Sequence, residues 1–157
     1  IKIMLTTFQL LVFVIYVGYL LKFFGGPIQS ISDSWYLLPK KQKLLFSIFC
    51  WSLGGAMLFQ GSGDHIWFFL SGLGLCFVGG MVAFKQDIGK TDLVHYSGAA
   101  VGIISALVGI GIEGGTWIPL ISWVVATVVM KVVKLKNFTW WVEIAAFVAI
   151  VAGLYTV

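Results

Sequence analysis

The sequence predicts an all-α fold: a polytopic bundle of six transmembrane helices with both termini on the outer side. Three observations carry that reading. Of 157 residues, 60% are hydrophobic and 10% charged, with mean hydropathy +1.03, against roughly 25% charged residues in a soluble domain. Six apolar runs divide the chain, each close to the ~20 residues that cross a hydrocarbon core. The lysines gather in alternate connections.

The runs span Ile3 to Phe24, Leu44 to Gln60, Ile66 to Phe84, Leu93 to Ile112, Trp117 to Val133 and Thr139 to Val157. They lack two-residue alternation and are about twice the length of a typical strand, so barrel strands do not fit. The first is too long for a signal-peptide core and no A-x-A site follows it, so it is expected to be retained as a span. Nearly all residues belong to spans, leaving one domain over 1–157.

The first connection, residues 25–43, is the long polar stretch GGPIQSISDSWYLLPKKQK. Ser30 and Asp33 have the S-x-x-D spacing of a capping box, which predicts a short interfacial helix. Trp35, Tyr36, Leu37 and Leu38 would form its apolar face, and Pro39 disfavours helix through Leu38.

Orientation follows from the charges. Lys22, Lys40, Lys41 and Lys43 flank the first connection, Lys85 and Lys90 the third, and Lys131, Lys134 and Lys136 the fifth. The second and fourth carry Asp64, His65 and Glu113 instead. The positive-inside rule makes the lysine side cytoplasmic, against the single vote of Lys2. Localisation is therefore the cytoplasmic membrane, multi-pass. The basic balance is an interfacial anchor rather than a nucleic-acid surface. Trp35, Tyr36, Trp67, Trp117, Trp140 and Trp141 near span ends form an aromatic belt.

Lipid gives helices no hydrophobic reason to associate, so small residues must let backbones approach. The third span carries Gly72, Cys76, Gly79, Gly80 and Ala83; the fourth carries Gly98, Gly102, Ser105 and Gly109. Both sets recur along one helix face, and the two faces are expected to meet. The same faces could instead join two copies of the chain.

Ionisable groups inside a span cost about 2.5–3.5 kcal/mol each at its centre and point to function. Glu143 lies about one turn into the sixth span, His95 and Tyr96 about one turn into the fourth, and Ser32 with Asp33 just before the second. In the predicted topology these points share one depth near the cytoplasmic face. As a ligand-binding cluster, Ser32, Asp33, His95, Tyr96 and Glu143 could hold a lipid headgroup, a small cation or a proton. As a structural set, Ser30 and Asp33 cap a helix, His95 bonds a neighbour, and Glu143 reaches Lys134 or Lys136.

Ser32, His95 and Glu143 include the residue types of a nucleophile, base and orienter, but no nucleophile elbow surrounds Ser32. Two histidines on opposite sides exclude a three-histidine zinc site. Cys50 and Cys76 fall inside spans without a CxxC pattern. No metal, cofactor or catalytic residue is assigned.

The segments SISDSWY, FCWSLGGAMLF, GLGLCFVGGMVAFK, VHYSGA and WWVEIAAF resemble those of small six-span proteins of gut and aquatic bacteria and their phages. The resemblance covers most of the chain. Ile31, Ser32 and Asp33, with His95, Gly98 and Ala99 at the fourth span, are also similar to the superfamily of damage-regulated autophagy modulators and GPI-anchor remodelling cofactors. The compact loops, and an ISD segment on the cytoplasmic side, depart from that superfamily. The resemblance implies a role tied to lipids and no particular reaction.

The first functional expectation is a small binding or accessory membrane protein, with membrane lipids, a second copy or a larger membrane complex as partners. The alternatives are a transporter or channel subunit with Glu143 and His95 on its path, and an intramembrane hydrolase using Ser32. The absence of an internal repeat or broken helix weighs against transport.

Overall fold

The computed structural model describes the backbone of residues 1–81 and 88–157 and the side chains of residues 1–80 and 95–157. The described residues form seven helices and no strand: α1 (Lys2–Phe24), α2 (Ser34–Leu37), α3 (Leu44–Gln60), α4 (Ile66–Met81), α5 (Ile88–Glu113), α6 (Ile118–Val132) and α7 (Phe138–Leu154). The six long helices coincide with the six apolar runs within a few residues. The largest shift is at α5, which begins at Ile88 and takes in the polar stretch Gly89–Asp92. Ala83 and Lys85 lie outside the described residues.

Helix ends follow the local chemistry. Gly25 closes α1 in the left-handed region at φ 73°, where a residue without Cβ meets no penalty. Pro119 sits in the first turn of α6, where a missing N–H costs nothing. Asn137 precedes α7 at φ 56° and donates from Nδ2 to the Pro27 carbonyl at 2.7 Å. A short polar side chain is the usual non-glycine occupant of that conformation.

Long helices consecutive in the chain run antiparallel. Thr6 of α1 meets Gln60 at the end of α3, while Tyr16 stacks on Phe49 at 4.4 Å. Connections 25–43 and 133–137 therefore share one end, rich in lysine; connections 61–65 and 114–117 share the other. At that second end His65 Nδ1 pairs with Glu113 Oε2.

The central seams are close-packed at glycine, but not as the sequence suggested. The Gly72 and Gly79 face of α4 lies against α3. A Cβ on Gly72 would fall 2.6 Å from the Leu58 nitrogen, and one on Gly79 2.8 Å from Cys50 Cβ. Gly98 and Gly102 of α5 meet the opposite side of α4, at Gly74, Leu75 and Val78; a Cβ on Gly74 would fall 2.6 Å from the Gly102 nitrogen. The expected contact between the two small-residue faces is thus replaced by two seams. The reason is that α4 is sandwiched: Gly72 and Gly74 are two residues, about 200°, apart on the helix. Ser71 Oγ donates to the Gly102 carbonyl across the α4–α5 seam at 2.7 Å, and Ser47 Oγ to the Gly79 carbonyl across α3–α4 at 2.9 Å.

Two helical stretches, Lys2–Phe24 and His95–Glu113, are long and apolar enough to cross a membrane by length and composition. The remaining apolar helices, α3, α4, α6 and α7, are shorter; at 15 to 17 residues they rise only about 22–26 Å.

Candidate functional site

The long connection folds over the lysine-rich end and is fixed there by bonds on both sides. Tyr16 on α1 bonds Ser34 at 2.7 Å, and Tyr19 donates to Gln42 Oε1 at 2.7 Å. The Trp140 amide of α7 donates to the Gln29 carbonyl at 3.0 Å. Ile31 and Leu38 are buried beneath it, while Tyr36 and Leu37 on the short helix are exposed. Lys43 Nζ sits 5.6 Å from the centre of the Trp35 ring.

These restraints deliver residues 30–33 to Glu143. The Ile31 N–H donates to Glu143 Oε2 at 2.5 Å, and Ser32 Oγ donates to Oε1 at 3.3 Å. Ser30 Oγ lies 3.0 Å from Ser32 Oγ and accepts the Asp33 N–H at 3.0 Å. A hydroxyl has one proton. Because Ser32 gives its proton to Glu143, Ser30 must donate to Ser32. The bonds thus run one way, from the Asp33 amide through Ser30 and Ser32 to the carboxyl group. The Ser30 contact to the Asp33 amide matches half of the S-x-x-D spacing, but the short helix begins one residue after Asp33, which is its N-cap residue and makes no side-chain cap bond.

Glu143 and Ser32 open onto a partly open cavity of about 120 Å³. The volume approaches the roughly 150 Å³ of an engineered apolar cavity that accepts benzene. His95 and Ala99 of α5, Phe49 and Cys50 of α3, and Phe13 of α1 also line it. Phe13 stacks on Phe147 of α7 with ring centres 3.6 Å apart. Apolar side chains make up most of the wall, with polar groups at its ends.

Of the sequence-predicted site residues, Ser32, His95 and Glu143 border this one cavity. Asp33 contributes its backbone N–H to the Ser30 contact. Tyr96 does not line the cavity; it is 67% exposed, with its ring 5.8 Å from that of His95. One residue along a helix is a turn of about 100°, so His95 and Tyr96 face different ways. The structural alternative for Glu143 also fails: among the described residues its bonds go to residues 31 and 32, and no ion pair joins it to Lys134 or Lys136.

Sequence reasoning missed the polar groups of the opposite half. Gln9 on α1 is 3% exposed and borders the cavity, and its Oε1 accepts no hydrogen bond among the described residues. Thr6 and Gln60 are buried beside each other, with Gln60 Nε2 donating to Thr6 Oγ1 at 3.2 Å. The available signal was Thr6 and Gln9 three residues apart, which places both on one face of α1. No group of three or more metal-ligating side chains occurs among the described residues. The chain matches no family model, no curated protein and no solved structure.

Proposed function

We propose that this chain is a six-span membrane protein that binds a small amphipathic molecule in this cavity, with the polar end held at Ser32, His95 and Glu143. The observation that carries the reading is the convergence of Ile31 N–H, Ser32 Oγ and Glu143 on one end of a largely apolar cavity. An apolar pocket with a few oriented polar groups is the usual form of a small-molecule site.

The outward surface supports the membrane part. On α6, Ile118, Ile121, Val124, Val125, Val128, Val129 and Val132 are each about half exposed or more, a larger contiguous apolar face than soluble proteins normally show to water. The shorter helices fit a bilayer that thins locally, at a cost of fractions of a kcal/mol per Å. The lysine-rich end is the cytoplasmic one in this reading.

A phosphate headgroup does not suit the site, because no lysine is among the described lining residues and Glu143 would oppose the anion. Hydrolysis by Ser32 is disfavoured as well. The Ile31 amide beside Ser32 is committed to Glu143, so it does not serve an oxyanion.

The test is solvent extraction and mass spectrometry of protein purified in mild detergent. Wild type should carry a small non-protein molecule that Glu143→Leu loses, with Ser32→Ala retaining a reduced amount. Equal content in wild type and Glu143→Leu would refute the site. Consumption of the bound molecule by wild type but not by Ser32→Ala would favour the hydrolase.

A further inference from the structure

Among the described residues, the wall of the cavity is sealed unevenly. At the lysine-rich end the long connection lies over it, tied down by the Tyr16–Ser34, Tyr19–Gln42 and Trp140–Gln29 bonds. Ile31 is buried there, and Ser32 is partly exposed next to Glu143. At the other end Met57, Phe68, Ala106, Ile110 and Leu154 pack into a buried cluster. The lining residues of α1 and α3, Phe13 and Phe49 among them, are all buried. On α5 and α7 the lining differs. Ala99, Ile103, Phe147 and Ile150 border the same space and are nevertheless partly exposed. Leu75 of α4 is partly exposed too, and it also lies against α5, where a Cβ on Gly102 would fall 3.2 Å from its Cγ. The open side of the cavity is therefore the one between α5 and α7.

The two helices explain the opening. Both run away from the lysine-rich end, so they are parallel. They meet closely at the far end: a Cβ on Gly153 would fall 2.7 Å from Ile110 Cδ1, and one on Gly114 2.7 Å from Val157 Cγ2. Equal rise from the Ile110–Gly153 contact puts Ala99 level with Val142, beside Glu143, and Ile103 level with Ala146, beside Phe147. At the level of the polar end, Ala99 thus offers only a methyl group to fill the space. We infer that the site takes its ligand sideways from the surrounding lipid, between α5 and α7, and that the ligand is a single-chain amphipath of the leaflet at the lysine-rich end. A cavity of about 120 Å³ holds only a short stretch of chain, and an open side lets the remainder stay in lipid. The orientation is the one such a molecule already has in the leaflet. Its head meets Ser32, His95 and Glu143 near the lysine-rich end, and its chain runs inward along the Phe13–Phe147 pair. Each Glu143 oxygen takes one bond and has room for another, which suits a head that donates a hydrogen bond, such as that of a long-chain alcohol. The inference rests on the proposed membrane setting and cavity site.

Photolabelling of the full chain in phosphatidylcholine vesicles tests the route, with labelled residues located by mass spectrometry. The probes are a phosphatidylcholine with a diazirine on one chain, a long-chain alcohol with a diazirine, and a short water-soluble alcohol with a diazirine. The phosphatidylcholine neither leaves the bilayer nor fits whole into the cavity, so it reaches the buried Phe13 and Phe49 only from the side. Labels on the exposed Val124 and Val128 of α6 give an internal standard for contact with lipid. Both bilayer probes should label Phe13 or Phe49 in wild type. Ala99→Phe, which narrows the opening, should lose that label, and Ile103→Ala, which widens it, should gain, with the α6 labels unchanged. A variant that merely folds poorly does not produce the gain. Cavity labels from the water-soluble alcohol alone, or bilayer-probe labels indifferent to both variants, would overturn entry from the side and leave the cavity site standing. The water-soluble alcohol labelling Phe13 and Phe49 as strongly as the long-chain one would overturn the ligand class. Failure of all three probes to label the cavity wall, with α6 labelled, would remove the cavity site as well.

Discussion

The α4–α5 seam gives the sharpest structural prediction. A Cβ on Gly74 would lie 2.6 Å from both the Gly102 nitrogen and the Gly98 carbonyl oxygen, and 2.9 Å from Gly102 Cα. All three are backbone atoms, so no side chain can rotate away. Ordinary contacts begin near 3.4 Å, so Gly74→Ala must part the two helices by most of an ångström. Overpacking of this kind costs about 1–3 kcal/mol. The Ser71–Gly102 bond, one turn from Gly74, would stretch and lose up to about 1 kcal/mol. Alanine returns about 1 kcal/mol through its helix propensity. The net expectation is a loss of up to about 3 kcal/mol. Gly80 is the control: a Cβ there meets nothing within 4 Å, so Gly80→Ala should be neutral or stabilising by up to about 1 kcal/mol. The assay is reversible denaturation in mild detergent, with each variant compared to wild type. Equal stability of Gly74→Ala and Gly80→Ala would refute the seam as described.

Other perturbations address the site and its supports. Gln9→Leu should stabilise the ligand-free protein by about 1–3 kcal/mol in the same assay, because it removes an unpaired buried acceptor; destabilisation would mean that the amide has a structural partner. Asn137→Ala loses the Pro27 bond and forces a Cβ-branching-free but non-glycine residue into φ 56°, at a total cost of about 2 kcal/mol. Asn137→Gly should cost less than Asn137→Ala, and the reverse order would show that backbone conformation is not the issue. His65→Ala should cost no more than about 1 kcal/mol, since its pairing with Glu113 sits at a partly exposed end.

Most of the helix positions were legible because apolar runs of this length have few other outcomes. The start of α5 was not, because residues 89–92 are polar and helical at once, and hydropathy marks only where apolar character begins. The glycine partners were misassigned for a similar reason. A face of small residues shows that a close neighbour exists without saying which, and Gly74, on the other side of α4, marked the second seam. At the site, Glu143 and His95 stood out as ionisable groups in apolar runs, and Ser32 through its place in the capping segment. Gln9, Thr6, Gln60 and Ser71 did not, since one neutral polar residue barely changes the character of a span. The α1–α7 pairing that stacks Phe13 on Phe147 emerges only from the packing. Tyr96 is next to His95 in sequence, but helical geometry turns it away from the cavity.

The central claim is that the cavity bordered by Ser32, His95 and Glu143 is a ligand site. An electron-density map of the protein crystallised from a lipidic mesophase, purified without added small molecules, tests it most directly. The expected result is elongated non-protein density along the Phe13–Phe147 pair, with one end within hydrogen-bonding distance of the Glu143 carboxyl group. A cavity closed by its own side chains would contradict it.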